Sequence, residues 1–515
     1  MCAQVIVALG SNQGDRAALL AAALAALPKA GVTVRRVSSL YETAPAYVTD
    51  QVRPPPPRLF SGRNRRLTAS PLCCCLAPAQ PTFLNAAVSC TTSLEPVELL
   101  AALKRIEADC GRTAGGQASH GQRLQGLANS LSDFACAPAP PIHPFSQRYG
   151  PRPIDLDIIA YGNRTVELPH LQVPHPRVQE RPFVLAPVAD LAADEADPAG
   201  PACRLAAVWT AQGGESRVGR KGLQRVLPLP RGLVLPVGGE THLMGVINVT
   251  PDSFSDGGDA MATSDAVAAA LDLASAGARV IDVGGQSTRP GAQWVPAAEE
   301  LRRVRPVIEQ LRERLPPEVV ISVDTFYGSV AAAAVSAGAH LVNDVSGGRW
   351  DPDLLGAVAA SGAAYVATHS RGTPETMQSA EHTAYPAGLI QQVSAELREL
   401  CRRAEAAGIE PWRIMIDPGL GFAKGKDANL QLLRGLCSIR GSLPHAPMLI
   451  GPSRKGFLGM LTNGKPPKER DWATAAAVGT CVAGGAAMVR VHNVRAMRDV
   501  VAVADAIYRL EAAQT

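Results

Sequence analysis

The chain has 515 residues, 46% of them hydrophobic, which is enough for two to four domains and a large core. Its 50 basic and 46 acidic residues leave a net charge of +4, which argues against a nucleic-acid or polyanion surface. The 11 cysteines contain no CxxC pair, which favours a reducing compartment over a disulfide framework. The most apolar window, 473–491, is too weakly hydrophobic to predict a membrane span.

The first part of the chain mixes a few strands and helices, and its pattern predicts an α/β sandwich of ferredoxin-like type. Apolar or alternating runs predict strands at 5–9, 32–39, 83–92 and 154–161. Amphipathic periods predict helices at 15–27 and 96–110, the second with a proline near its start. The first strand begins almost at the N-terminus, so no presequence is expected and the chain is interpreted as cytoplasmic.

Two carboxylates on the predicted strand 154–161 give the first chemical signal. Asp155 and Asp157 are two positions apart, so their side chains leave the same face of the strand. Such a pair can hold Mg²⁺ together with phosphate oxygens of a substrate. Basic residues nearby are candidate phosphate contacts: Arg148, Arg152, His175 and Arg181. A DxD pair alone is more often a solvated strand face, but the basic neighbours favour a functional site.

Two segments without helical or strand periodicity interrupt this domain. Residues 52–80 are rich in Pro, Arg and Cys, and residues 118–147 end in PAPPIHPFSQ. Such composition within a compact domain predicts disorder or a lineage-specific insert. One hypothesis is that both segments are retained introns, and the alternative is that they are genuine insertions. Both interpretations leave the activity of the first domain open.

A linker at 193–222 is predicted to join a first domain, 1–192, to a second, 223–515. The linker region mixes Pro, Gly and charged residues and includes a short predicted helix around 203–211. The following stretch, LPLPRGLVLPVGGETH, is predicted to form short strands under the floor of the second domain.

From Leu243 onward, the chain repeats a layout of an apolar strand, a polar loop and an alanine-rich helix. Eight such units over roughly 250 residues predict a (β/α)8 TIM barrel, whose chemistry lies at the C-terminal ends of its strands. Polar residues stand where the predicted strands stop: Asn248, Asp282, Asp324, Asn343, Asp344, His369, Asp417, Ser453, Arg454, Lys455, Arg490 and His492. One such residue alone would be interpreted as a helix cap or turn residue. So many at the strand ends of one barrel favour an active site.

The barrel motifs NVTPDSFSDGG, DVGGQSTRPG, ISVDT, NDVSGG, DPGLGFAKG, SRKG and RVHN resemble those of dihydropteroate synthase. The resemblance covers about residues 223–506 and implies condensation of a pterin pyrophosphate with p-aminobenzoate, releasing pyrophosphate. It implies pterin binding by Asp324, Asn343, Asp417 and Lys455. It implies pyrophosphate binding by Asn248, Thr288, Arg289, Arg490 and His492, with Asn248 also a candidate Mg²⁺ ligand. It implies p-aminobenzoate contacts from Pro290, Phe422 and Ser453, and catalytic roles for Lys455, Arg289 and Arg490.

Two positions depart from the usual pattern of that family. Gln286 stands where many relatives have Glu, and THSRG replaces a methionine-flanked histidine, so His369 and Ser370 are expected to shape the pterin pocket differently. Neither change touches the groups expected to stabilise the leaving pyrophosphate.

The first domain resembles 6-hydroxymethyl-7,8-dihydropterin pyrophosphokinase in VALGSNQGD, LYETAP, FLNAAV, RIEADCGR, GPRPIDLDI and VPHPRVQERPFVLAPV. The family moves a pyrophosphoryl group from ATP to the pterin with Mg²⁺. The resemblance implies that Asp155 and Asp157 are the metal ligands. It also implies catalytic roles for Asp155, Asp157 and Arg152. It implies ATP contacts from Glu107, Arg112, Arg152, His175 and Arg181. It implies pterin contacts from Thr43, Phe83, Asn85 and Phe183, although core packing is the alternative for the phenylalanines.

The leading hypothesis is a bifunctional folate-biosynthesis enzyme with small-molecule substrates and no nucleic-acid or membrane partner. One alternative is that only the barrel is active and the first domain serves as a structural or binding module. A pterin-binding methyltransferase barrel is disfavoured, because it would not need the STRPG loop or the SRK and RVH cations. The resemblance further implies a homodimer through the barrel. It also raises a mitochondrial location, should an upstream presequence exist.

Overall fold

The computed structural model describes residues 2–45, 81–112, 152–192, 195, 197–219, 222–250, 258–287 and 293–509. The predicted inserts, 52–80 and 118–147, and the candidate phosphate contact Arg148 lie outside the described residues. Antiparallel strands form the first sheet and parallel strands form a barrel, which confirms the α/β class and the barrel predicted from the sequence.

The first domain alternates strands with helices on both faces of one sheet. Its elements are β1 (Ala3–Ser11), α1 (Arg16–Ala26), β2 (Val32–Val37), β3 (Leu40–Thr43), β4 (Phe83–Thr92), α2 (Pro96–Asp109), β5 (Asp155–Tyr161), β6 (Val166–Leu168), β7 (Leu171–Val173), α3 (Pro182–Ala192) and α4 (Pro201–Ala211). On β1, Val5 and Val7 pack in the core under α1 and α2, and Ile6 packs in the core under α3 and α4. This alternation is the period-two pattern of a strand buried on both faces.

A hairpin at the start of the predicted second domain belongs to both domains. Its strands, β8 (Leu223–Pro228) and β9 (Val234–Pro236), pair antiparallel, and β8 also pairs with β3 of the first sheet. Leu227, Leu229 and Leu235 of the hairpin region are buried in a cluster with barrel residues such as Met244 and Met488. The hairpin therefore extends the sheet of the first domain and closes the floor of the barrel.

The barrel contains eight parallel strands separated by helices. Its elements are β10 (His242–Asn248), α5 (Gly258–Ser275), β11 (Val280–Gly284), α6 (Ala297–Arg314), β12 (Val320–Asp324), α7 (Gly328–Ala337), β13 (Leu341–Asp344), α8 (Leu354–Ser361), β14 (Ala364–Thr368), α9 (Ala380–Thr383), α10 (Leu389–Ala406), β15 (Ile414–Asp417), α11 (Lys426–Arg434), α12 (Leu436–Ser442), β16 (Leu449–Ile450), α13 (Gly456–Leu461), α14 (Asp471–Ala483), β17 (Met488–Val491) and α15 (Val494–Tyr508). β10 lies beside β17, and a parallel bridge from Ile416 to Met448 joins β15 to the segment entering β16. The ring of strands is thereby closed.

The register of the barrel strands brings their polar ends together. Asn248, Gly284, Asp324 and Asn343 lie in one row across β10, β11, β12 and β13. At Gly284 a Cβ atom would lie 3.3 Å from the Cβ of Asp324, so glycine leaves space beside that carboxylate. The row lies at the C-terminal end of the barrel, where the active site is predicted.

The two domains also meet through side chains. Asp190 on α3 accepts hydrogen bonds from the Ser39 backbone N at 3.0 Å and the Tyr41 hydroxyl at 3.1 Å, and pairs with Arg225 on β8 at 3.2 Å. Trp412, from the segment before β15, is 3% exposed and belongs to the first-domain core under α1 and α2. The barrel thus supplies part of the core of the first domain.

Candidate active sites

A buried ion-pair network around Arg490 lies at the C-terminal end of the barrel. The Arg490 Nε donates to Asp282 Oδ2 at 2.6 Å, and its Nη2 donates to Asp324 Oδ2 at 2.8 Å. Asp282 also accepts from the Ser322 hydroxyl at 2.6 Å and from Asn343 Nδ2 at 3.0 Å. Four strands, β11, β12, β13 and β17, therefore converge on one polar floor.

The charges of this floor are set by burial and by one another. Burial raises the pKa of Asp324 to about 7, and the Arg490 guanidinium opposes that rise. Burial lowers the pKa of Arg490, but the carboxylates of Asp282 and Asp324 outweigh it and the pKa ends above its usual value. A flat heterocycle with N–H donors on one edge would find acceptors here, because carboxylates accept hydrogen bonds.

A second cation, Lys455, lies at the N-cap of α13. Its Nζ is 4.4 Å from the centroid of the Phe422 ring. Burial lowers the pKa of Lys455 to about 8, and the carboxylate of Asp417 opposes that fall. Asp417 ends β15 and accepts a hydrogen bond from the Gly419 backbone N at 2.7 Å, and burial raises its pKa. An ammonium group, a carboxylate and an aromatic ring thus meet beside the polar floor.

The remaining predicted barrel residues are distributed around this floor. The Ser453 hydroxyl lies 2.9 Å from His492 Nδ1 and accepts from the His492 backbone N at 3.2 Å. Asn248 lies in the same row as Asp324. Thr288, Arg289 and Pro290 lie outside the described residues, so their roles stay predictions.

In the first domain, the pairing register places Asp155, Gly10, Asn85 and Tyr41 in one row across β5, β1, β4 and β3. Asn85 Nδ2 donates to the Thr43 hydroxyl at 2.9 Å. Thr43 in turn lies opposite Phe83, the first residue of β4. Three predicted pterin contacts are therefore neighbours, and Asn85 lies two strands, or about 10 Å, from Asp155.

The two predicted metal ligands leave the face of β5 opposite to buried Leu156 and Ile158. Asp155 accepts from Arg112 Nη1 and from Arg152 Nη1, each at 2.8 Å. Burial and the neighbouring charge of Asp155 raise the pKa of Asp157. Among the described residues, no group of three or more His, Cys, Asp and Glu side chains is placed to hold a metal ion. A cation here would take carboxylates from Asp155 and Asp157 and other ligands from a substrate.

Glu107 on α2 lies behind this site. Its side chain pairs with Arg112, and its Oε1 accepts from the Leu156 backbone N at 2.7 Å. Only 2% of Glu107 is exposed, and burial raises its pKa. This position lets Glu107 orient the guanidinium of Arg112 toward Asp155.

His175 and Arg181 form a second basic group beside Asp157. The Arg181 Nη1 lies 3.4 Å from His175 Nε2 and 4.0 Å from Asp157 Oδ2. The guanidinium of Arg181 is 5.8 Å from the centroid of the Phe183 ring. The predicted ATP contacts thus surround the Asp155–Asp157 pair on two sides.

Comparison with known proteins assigns both parts of the chain. Residues 244–492 match the family described as pterin binding enzyme. Residues 6–55, 58–125 and 143–193 match the family described as 7,8-dihydro-6-hydroxymethylpterin-pyrophosphokinase. A folate synthesis bifunctional protein of Pisum sativum, named as mitochondrial, is 43% identical over 525 residues, covering 98% of this chain and 90% of the relative. The chain belongs to the family of bifunctional folate synthesis proteins.

Other matches fit this membership. A dihydropteroate synthase of Synechocystis is 43% identical over 283 residues, which are 55% of this chain and 96% of that one. The crystal structure of Yersinia pestis dihydropteroate synthase with a sulfonamide drug complex matches with a TM-score of 0.50 and 38% identity, covering 55% of this chain and 98% of that one. The pyrophosphokinase match includes residues 52–55 and 58–80 of the first predicted insert and residues 118–125 and 143–147 of the second. The interpretation of both segments as inserts stays a prediction.

In this folate synthesis protein, the sequence places Asp282 at a strand end but predicts no role for it. The structure makes Asp282 the acceptor that joins Arg490, Ser322 and Asn343. The signal was available, because a carboxylate inside the apolar run VIDVG must be paired if the strand is buried. No helix in the described part of the chain has the length and apolar character to cross a membrane.

Proposed function

We propose that the two domains catalyse consecutive steps of folate synthesis. The first would move a pyrophosphoryl group from ATP to 6-hydroxymethyl-7,8-dihydropterin. The second would join the resulting pterin pyrophosphate to p-aminobenzoate. The observation that supports the barrel step best is the buried floor in which Arg490 bridges Asp282 and Asp324. It offers acceptors for the edge of a pterin and a cation beside them.

In the first domain, the pterin hydroxyl oxygen would attack the β-phosphorus of ATP. The bond from that phosphorus to the α-phosphate oxygen breaks, AMP leaves, and the hydroxyl proton is released. Asp155 and Asp157 fit a divalent cation, because both carboxylates leave one face of β5, and burial and the charge of Asp155 raise the pKa of Asp157, an effect that a cation would oppose. Mg²⁺ held there would neutralise phosphate charge. Arg112, Arg152 and the His175–Arg181 pair surround those carboxylates, and would bind the phosphates of ATP.

The pterin of the first step would lie over the row that contains Asn85. The Asn85 amide, held by Thr43, would read the edge of the ring. Phe83 and Phe183 would stack on its faces, an arrangement that suits a flat heterocycle.

In the barrel, Asp324, Asn343 and Asp417 would accept and donate along the pterin edge, and Lys455 would bond to its acceptors. The C–O bond between the methylene and the pyrophosphate breaks, and pyrophosphate keeps the bonding electrons. The amine nitrogen of p-aminobenzoate then bonds to the methylene and loses one proton. Arg490 would stabilise charge as it develops on the leaving group. No covalent enzyme nucleophile is required.

Other predicted residues of the barrel site would contact the pyrophosphate or p-aminobenzoate. The pyrophosphate would be contacted by Asn248, Thr288, Arg289 and His492. Asn248 would also be a ligand of Mg²⁺. Phe422 and Pro290 would pack on the ring of p-aminobenzoate, and Ser453 would lie near its carboxylate.

We further propose that the protein is a homodimer through the late helices of its barrel. Large apolar side chains are exposed there: Trp472 (87%), Val503 (61%), Ile507 (60%) and Tyr508 (57%). Trp472 lies on α14 and the other three on α15, which packs against α14. An apolar surface of this kind favours association between subunits.

The test is dihydropteroate synthesis by the full-length chain in two arms. One arm receives ATP, Mg²⁺, hydroxymethyl-dihydropterin and p-aminobenzoate, and the other receives preformed pterin pyrophosphate and p-aminobenzoate. We expect product in both arms from the unaltered chain. Asp157→Asn should abolish product only in the first arm, and Arg490→Gln should reduce it in both. Product in neither arm would overturn the assignment.

Product only from preformed pyrophosphate would instead favour the alternative of a single active domain. A chain lacking 52–80 and 118–147 should then recover the first arm if those segments block the first domain. If the deletions restore nothing, the first domain is inactive for another reason.

A further inference from the structure

Lys424 is a buried lysine on the loop between β15 and α11, and it has three hydrogen-bond partners. Its Nζ lies 2.9 Å from His369 Nδ1, 3.2 Å from the Gly419 carbonyl oxygen and 3.0 Å from the Phe422 carbonyl oxygen. An ammonium group has three N–H donors, so these three acceptors use all of them. A neutral amine would have one donor too few, so these three contacts favour the ammonium form, although burial lowers the pKa of Lys424 to about 7.

The histidine partner is itself fixed. Burial and the neighbouring Lys424 lower the pKa of His369 to about 3, so its ring is neutral. Its Nε2 lies 3.0 Å from Glu396 Oε2, and Glu396 is also paired with Arg371. The ring proton is therefore assigned to Nε2, where it is donated to Glu396. This leaves Nδ1 as an acceptor for Lys424.

The backbone of this loop adopts left-handed conformations that need support from its surroundings. Gly419 has a φ of +73°, and a Cβ atom there would lie 1.9 Å from the His369 carbonyl oxygen. Ala423 also has a positive φ, of +50°, and its carbonyl accepts from the Tyr385 hydroxyl at 3.0 Å. A non-glycine residue in this region persists only where its surroundings determine it.

The Phe422 ring of the loop contacts the barrel site. Phe422 lies in the sequence between Gly419 and Lys424. Its carbonyl oxygen accepts from the Lys424 Nζ, and its ring is next to the Nζ of Lys455. The loop starts directly after Asp417, whose backbone carbonyl accepts from the His369 backbone N at 2.8 Å. A displacement of residues 421–424 would therefore move Phe422, while Asp324 and Asn343, which are held by Arg490 and Asp282 on other strands, stay in place.

We propose that Lys424 is a positioning residue for the barrel reaction: its ammonium group holds the loop 419–424 so that Phe422 faces the p-aminobenzoate site beside Lys455. This inference rests on the proposed function of the barrel. It assigns a task to a buried lysine that does not itself touch substrate.

The experiment compares Lys424→Met with Lys426→Met in the full-length chain. Methionine keeps an unbranched apolar chain but has no N–H donor. Lys426 is exposed at the start of α11, so it is the matched control. Dihydropteroate formation is measured from preformed pterin pyrophosphate, with each substrate varied in turn, and folding is followed by thermal unfolding.

For Lys424→Met we expect KM for p-aminobenzoate to rise at least tenfold and KM for the pterin pyrophosphate to change less than threefold. Lys426→Met should behave like the unaltered chain. A merely structural role would reduce the amount of active protein, which lowers kcat and leaves both KM values unchanged. That result, or an equal rise in both KM values, would overturn the proposal.

If Lys424→Met does not fold, Lys424→Gln replaces it. Glutamine retains two N–H donors without the charge, so we expect the same selective rise in KM, smaller in size. An unchanged KM for p-aminobenzoate in folded Lys424→Gln would likewise overturn the proposal. A chain whose unaltered form makes no product from preformed pyrophosphate would refute the proposed barrel function instead, so the two failures are distinguishable.

Discussion

Replacing Asp282 by Asn tests whether the polar floor at the C-terminal end of the barrel depends on the charge that holds Arg490. The substitution keeps the size of the side chain and one acceptor oxygen, but it removes the negative charge. Arg490 Nε now donates to that carboxylate at 2.6 Å, and Asp282 is fully buried. In the variant, an amide N–H could also point at the guanidinium or at Asn343, which would shift both.

The expected size of the effect follows from the bond that is weakened. A hydrogen bond to a charged group contributes about 1.5–3 kcal/mol, and the bond from Arg490 to Asp324 at 2.8 Å remains. We therefore expect kcat/KM for dihydropteroate synthesis to fall about 10- to 100-fold, since each 1.4 kcal/mol is about tenfold in rate. The assay uses preformed pterin pyrophosphate, so the first domain does not contribute.

Asp272→Asn is the control for Asp282→Asn. Asp272 pairs with Arg495 at 3.3 Å, but its side chain is 69% exposed, and exposed pairs contribute little. Its kcat/KM should stay within twofold of the unaltered chain. A cooperatively folded Asp282→Asn with less than a threefold loss, or an equal loss in Asp272→Asn, would refute the reasoning.

Three further predictions follow from the same contacts. Burial raises the pKa of Asp324 to about 7, and only its ionised form offers both oxygens as charged acceptors to a pterin. Calorimetry should therefore show hydroxymethylpterin affinity rising up to about tenfold between pH 6 and pH 8, with a flat profile in Asp324→Asn. Trp412→Ala should lower the free energy of unfolding of the first domain by about 3–5 kcal/mol, measured by denaturant titration, and Trp412→Phe should lose less. Equal effects of the two substitutions would contradict that packing role. Ile507→Asp should give a monomer by sedimentation and Ile507→Leu a dimer, and a dimer in both would place the subunit interface elsewhere.

Local patterns predicted most of the elements of this chain. The strands predicted at 83–92 and 154–161 correspond to β4 and β5, with ends that agree within one residue, because their apolar runs are flanked by turn residues. The eight strand–loop–helix units predicted the barrel for the same reason. Polar residues at the strand ends then identified Asp324, Asn343 and Arg490, which the structure brings into one network.

Contacts between distant segments could not be predicted in this way. Trp412 has the sequence environment of an ordinary barrel turn, and only the docking of the domains places it in the first core. The three acceptors of Lys424 come from two loops, one of them more than fifty residues away, and no spacing rule connects them. The pairing of β8 with β3 likewise depends on how the domains meet.

The shared hairpin has a consequence for how such a protein can evolve. Leu227, Leu229 and Leu235 cover the barrel floor, while Leu223 pairs with Thr43 at the edge of the other sheet. If the gene were split after residue 222, the barrel would keep its floor, but the first sheet would lose its edge partner and expose unpaired backbone groups. If it were split after residue 237, the barrel would lose its floor. Once a fused chain has come to depend on one hairpin for two cores, fission into separate enzymes requires compensating changes in at least one of them.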